Sequence, residues 1–137
     1  MKNILLDTNA YAAFKRGEPE AISVIQRAPV IGINSVVLGE LYSGFAAGER
    51  ETENRQELKR LLDSPRVALL PITAGTAEYY ARVYLDLRRK GKPIPTNDMW
   101  IAASALQHGL DIFSYDHHFM AVDGLVVGSS LKDFDIR

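Results

Sequence analysis

Asn3-Ile4-Leu5-Leu6-Asp7-Thr8-Asn9-Ala10-Tyr11 is the stretch on which the reading of the fold turns. An apolar run too short for a helix stops at an acid, and Thr8 and Asn9 then supply side chains that start helices. Short strands buried on both faces of a parallel sheet have this character. The pattern returns along the chain. Strands are expected at Asn3–Leu6, Val30–Ile33, Arg66–Leu70, Asp111–Ser114 and Leu125–Val127.

The segments between them read as helices with recognisable ends. The first follows Thr8-Asn9 and stops near Gly17, and a second starts at Pro19, a good first-turn residue. Ser35 is the expected cap of Val36–Ala47, with Gly48 as its stop. Thr73 caps a long helix that reaches Lys90 and ends at Gly91. Thr96 or Asn97 caps Asp98–His108, which ends at Gly109. Strands alternating with helices predict a three-layer α/β/α sandwich around a central, mainly parallel sheet. The polar segment Glu49–Asp63, with an apolar stripe of Leu58, Leu61 and Leu62 only, predicts a projecting, solvated helix that belongs to the surface or to a partner interface.

Composition narrows the classes. At 137 residues with 47% hydrophobic content, one domain spanning 1–137 with a real core is expected. Sixteen basic residues against seventeen acidic ones exclude a globally basic nucleic-acid binder, though not a local basic patch. The absence of cysteine removes disulfide frameworks, thiolate zinc sites and cysteine nucleophiles. No stretch has the length of a membrane span, and the opening apolar run is too short for a secretory leader. A cytoplasmic protein with no membrane partner is expected.

Four acids stand where this architecture gathers side chains. Asp7 and Asp116 follow predicted strands directly, Glu40 lies about one turn into the helix after Val30–Ile33, and Asp98 opens a helix. In open parallel sheets, strand C-termini and the helix N-termini that follow them share one edge, where ligands bind. Each acid has an ordinary alternative: a cap for Asp7, a dipole partner for Asp98, a turn residue for Asp116 and an exposed helix face for Glu40. Glu40 nevertheless stands among apolar neighbours, Val36-Val37-Leu38 and Leu41-Tyr42. Carboxylates crowded together repel unless a proton or cation intervenes, and a hard divalent ion is the simplest remedy. Ser114, two residues before Asp116, and Asn9, two after Asp7, are candidates to hold the acids through hydrogen bonds.

The motifs resemble those of the PIN-domain family, and within it the VapC-like toxins of toxin–antitoxin pairs. Leu5-Leu6-Asp7-Thr8-Asn9 is similar to the family's first motif and Ser35–Tyr42, with Glu40, to its second. Asn97-Asp98-Met99-Trp100-Ile101-Ala102-Ala103 resembles the third, and Ser114-Tyr115-Asp116-His117-His118-Phe119 the last, with Ser114 where the family more often has Thr. The resemblance implies an endoribonuclease dependent on Mg²⁺ or Mn²⁺, an antitoxin partner and a homodimer. It makes Asp7, Glu40, Asp98 and Asp116 the metal-binding and catalytic acids. Asn97 and Arg82 are further candidates for substrate contact.

Other features have plainer readings. Arg82, Arg88, Arg89, Lys90 and Lys92 crowd the end of the long helix, where they satisfy its dipole or bind RNA phosphates. Tyr80, Val83, Tyr84 and Leu87 make a helical stripe suited to core or dimer packing. His117 and His118 are adjacent and lack the spacing by which two histidines share a metal from one helix, so a zinc site is not expected. His118 is left to orient phosphate or to cap the loop. Rival readings are a nuclease of the same fold acting in RNA processing or on structured DNA, and a non-catalytic interaction module whose acids only cap helices.

Overall fold

Leu5 pairs with Gly32 on one side and with Ile112 on the other, so the opening strand lies at the middle of the sheet. In the computed structural model, which describes residues 1–135, five strands run parallel in the order β3-β2-β1-β4-β5. They are β1 (Ile4–Leu6), β2 (Ile31–Asn34), β3 (Val67–Leu70), β4 (Asp111–Phe113) and β5 (Val127–Gly128). The helices between them are α1 (Thr8–Lys15), α2 (Pro19–Arg27), α3 (Ser35–Ala47), α4 (Glu51–Leu62), α5 (Ala74–Lys90) and α6 (Thr96–His108). Short 3₁₀ turns cover His117–Ala121 and Leu131–Asp133. The result is the expected three-layer α/β/α sandwich.

The core follows from the composition of the strands. Ile4, Leu5, Leu6, Ile31, Ile33, Ile112 and Phe113 are fully buried, as a sheet covered on both faces requires. Gly91 and Gly109 end α5 and α6 with φ of 64° and 65°, a left-handed conformation that costs a residue with a Cβ. Thr73 caps α5 as expected, within a reciprocal pair with Thr76.

Three helix starts differ in detail from the sequence reading. Asn34, not Ser35, caps α3, accepting the Val37 N–H at 2.9 Å. Its other arm donates to Ser104 Oγ at 3.0 Å in the buried interior and ties the end of β2 to α6. Neither Thr96 nor Asn97 caps α6, because the helix already begins at Thr96 after Pro95. Asn97 and Asp98 thereby keep their side chains for other partners. Asp7 occupies the cap position of α1, yet its side chain makes no capping hydrogen bond.

The helix expected to project is anchored. Its outer face is solvated, but Leu58 is fully buried, Glu57 pairs with Lys15 of α1, and Arg55 lies 4.2 Å from the Tyr42 ring centroid of α3. Along α5 the apolar stripe divides. Val83 and Leu87 are buried, Tyr80 stacks on Trp100 with centroids 4.1 Å apart, and Tyr84 remains exposed.

The strand order also fixes where a site can form. From β1 the chain builds outward through β2 and β3, then returns to add β4 and β5 on the other flank. The C-terminal ends of β1 and β4 therefore border a topological switch point, the crevice that open α/β sheets use for ligands.

Candidate active site

Asp7 follows β1 directly and its residue is only 5% exposed. Ser114, just beyond β4, donates its hydroxyl to Asp7 Oδ2 at 2.7 Å, and Asn9 Oδ1 lies 3.3 Å from the same hydroxyl. Asn9 Oδ1 also accepts the Tyr115 N–H at 3.0 Å, and Ser114 Oγ accepts the Asp116 N–H at 2.9 Å. Two strand ends are thus stitched together across the switch point. Burial dominates the Asp7 carboxyl and pushes it up from 3.8 to about 6, although the Ser114 hydroxyl and the Thr8 amide work against it.

Glu40 reaches the same edge from α3. Thr8 Oγ1 donates to its Oε1 at 2.6 Å and Asn97 Nδ2 to its Oε2 at 3.4 Å. Its functional atoms therefore have polar partners, where the apolar run around it in sequence suggested apolar ones. Asp98, in the first turn of α6, is raised by burial and by the neighbouring Asp116 and Glu40 charges, while His118 lowers it. His118 Nδ1 stands 3.0 Å from Asp98 Oδ2 and 3.0 Å from Asp116 Oδ1. Asp116 Oδ1 also accepts the His118 N–H at 2.9 Å, which caps the 3₁₀ turn. The imidazole is correspondingly raised above its usual value, chiefly by its hydrogen bond to Asp98.

The four acids, Asn9, Asn97 and Ser114 are thus linked at one edge. Arg82 is not among them: it lies on α5 over the Tyr79 ring, 5.0 Å from its centroid, with no hydrogen bond or ion pair to any of the acids. Of two neighbours, Thr8 was not singled out by sequence, and His118 only to orient phosphate or to cap the loop. Thr8 holds Glu40, and the signal was its place directly after Asp7 at the start of a helix on the same edge. His118 holds two acids at once, and the signal was its place two residues after Asp116.

Among the described residues, no lysine or arginine pairs with Asp7, Glu40, Asp98 or Asp116; their one basic partner is His118, on Asp98 and Asp116. Asp98, Asp116 and His118 present ligand atoms all within 4.8 Å of one another. Several carboxylates, one strongly desolvated, with no fixed cation form a donor set suited to a hard divalent ion. The PIN-domain pattern matches residues 4–125. The chain belongs to the PIN-domain family.

This PIN domain is 29% identical to ribonuclease VapC5 of Mycobacterium tuberculosis over 120 residues, 88% of this chain and 87% of that protein. It is 33% identical to ribonuclease VapC4 of the same organism over 98 residues, 70% and 74% of the two chains. Among solved structures it is similar to VapBC-5 of M. tuberculosis, described as a member of the VapBC family of toxin–antitoxin systems. There the TM-score is 0.73 at 25% identity, covering 93% of this chain and 97% of the other. No helix among the described residues is long and apolar enough to cross a membrane.

Proposed function

We propose that this PIN domain is the ribonuclease toxin of a toxin–antitoxin pair, an endoribonuclease dependent on Mg²⁺ or Mn²⁺ that acts in the cytoplasm and is silenced by a cognate antitoxin protein. The observation that carries the reading is the gathering of Asp7, Glu40, Asp98 and Asp116 at the switch point with no lysine or arginine to neutralise them. The similarity to VapC ribonucleases and to a VapBC structure supports the substrate and the partner. Homodimerisation is part of the same proposal.

In this reading the four acids would hold one or two ions. When bound, a hard divalent ion supplies the positive charge that lets water attack a phosphodiester near neutral pH. The chain supplies the positioning. Ser114 fixes one oxygen of Asp7, Thr8 and Asn97 fix the two oxygens of Glu40, and Asn9 holds the Ser114–Tyr115 turn against α1. The N-terminal amides of α1 and α6 face the same edge and favour an anionic phosphate. Asp98 or Asp116 accepts the proton lost by the attacking water. Because water and not the ribose 2′-oxygen attacks, the products carry a 5′-phosphate and a 3′-hydroxyl.

Cleavage of a mixed tRNA and rRNA pool tests this, run with Mg²⁺ or Mn²⁺, with EDTA, and with Asp7→Asn. Metal-dependent fragments with 5′-phosphate ends, lost in the variant and on adding EDTA, are expected. Fragments ending in 2′,3′-cyclic phosphate, or cleavage that survives both EDTA and Asp7→Asn, would overturn the mechanism.

A further inference from the structure

We infer that His118 is a nitrogen ligand to the ion held at Asp98 and Asp116, and that it moves this chain's preference from Mg²⁺ toward first-row transition ions such as Mn²⁺. The inference rests on the metal-dependent reading above and concerns which ion the centre selects.

The geometry favours a ligand over a bystander. His118 Nδ1 is 3.0 Å from Asp98 Oδ2 and 3.0 Å from Asp116 Oδ1, and the three donor atoms lie within 4.8 Å of one another. Neighbouring ligands on an octahedral ion with bonds of roughly 2.1 Å stand about 3.0 Å apart. A nitrogen at that distance from both oxygens sits where a third ligand belongs. The backbone that carries the ring is held in place. The His118 N–H is held by Asp116 Oδ1, and the next residue, Phe119, is fully buried and anchors the turn. Without an ion, Nδ1 donates its proton to the two acids; an ion bound between them would take that proton's place, and the half-exposed ring keeps Nε2 protonated toward water.

The consequence is one of chemistry. Mg²⁺ takes oxygen ligands almost to the exclusion of others, whereas imidazole nitrogen strengthens binding of transition ions along the Irving–Williams order. A centre of carboxylates alone discriminates weakly between Mg²⁺ and Mn²⁺. One that adds imidazole discriminates in favour of Mn²⁺. His117, the adjacent histidine, makes no hydrogen bond or ion pair with either acid and provides an internal control.

Mn²⁺ is the probe. Pulsed electron paramagnetic resonance of the purified chain loaded with Mn²⁺ reads ¹⁴N coupling, and displacement of Mn²⁺ by Mg²⁺ reads the preference. The wild-type chain and His117→Gln are expected to show imidazole coupling. His118→Gln should lose it, with the advantage of Mn²⁺ over Mg²⁺ falling at least about tenfold, since even outer partners of a metal site change affinity by that much. His118→Ala replaces the Gln variant if circular dichroism shows that the latter has not folded. Mn²⁺ that binds and is lost in Asp98→Asn, yet shows no nitrogen coupling or a coupling indifferent to His118→Gln, overturns this inference and leaves the carboxylate centre standing. Mn²⁺ binding that is absent, or indifferent to Asp98→Asn, overturns the metal centre itself.

Discussion

Two acid-rich places in this molecule treat charge in opposite ways. At the end of α5, Lys90 stands between Asp86, at 3.1 Å, and Asp123, and also donates to the Ala121 carbonyl at 2.9 Å. The Asp86 carboxyl is lowered chiefly by its hydrogen bond with Lys90, and Lys90 is raised chiefly by Asp123. At the C-terminal ends of β1 and β4, four carboxylates meet without a lysine or arginine, and Asp7 is pushed up to about 6. A protein that settles its charges locally in one place and leaves them unsettled in another is revealing where an outside charge belongs. The paired cluster ties α5 to the loop before β5; the other, whose only basic partner among the described residues is His118, is the proposed ion site.

The largest effect should come from removing an acid. Asp7→Asn or Glu40→Gln is expected to reduce RNA cleavage by more than roughly 100-fold, beyond the 10–100-fold typical of outer partners of a metal site. Single-turnover cleavage in saturating Mn²⁺ reads it, and near-wild-type rates would remove those acids from the centre.

Stability should move the other way. Without metal, the folded chain holds a proton on Asp7 up to about pH 6, while the unfolded chain loses it near 3.8. Stability therefore falls as pH rises from about 4 to about 6, by up to about 3 kcal/mol for this group. Asp98, also raised, acts in the same direction, and so does His118, whose contribution is complete below its usual 6.5 and fades as pH rises through its raised value. Denaturant melts in EDTA should show the metal-free protein more stable at pH 5 than at pH 7.5. Asp7→Asn should flatten that slope and raise stability at pH 7.5. A variant less stable than wild type would mean that Asp7 is a structural acid, like Asp86.

Ser114→Ala should cost roughly 10–100-fold in activity with the fold intact, because it frees Asp7 Oδ2 and the turn at Asp116 together. The smallest change belongs to the settled cluster. Lys90→Ala should leave RNA cleavage unchanged and lower the melting temperature slightly, by less in high salt. A large loss of cleavage there would instead place the end of α5 on the RNA.

Much of this was legible in residue order. The apolar triplet before Asp7 announced a buried strand, the glycines at 91 and 109 announced helix ends, and the acids could be placed on one edge because strand ends and helix starts share it. What was not legible depends on how the chain folds back. The adjacent histidines argued against a helical zinc pair and said nothing about a 3₁₀ turn that returns His118 to the first turn of α6, 20 positions earlier. Glu40 meets Thr8 across 32 positions, a contact set by the pairing of β1 with β2 and invisible in the apolar run around it. The anchoring of α4 by Lys15 on Glu57 is equally non-local, and local polarity alone made that helix look detached.

The central place of β1 has a consequence for how the protein comes into being. Its partner β2 follows soon after, but β4 and Ser114, 107 positions beyond Asp7, must be synthesised before the second flank of β1 can close. Pairings so distant in the chain slow folding, because the loop must close before the contact forms. A growing polypeptide still on the ribosome therefore carries Asp7 and Glu40 as scattered acids, and the constellation exists only once residue 116 has been made. The order of the strands postpones the site until translation has passed it.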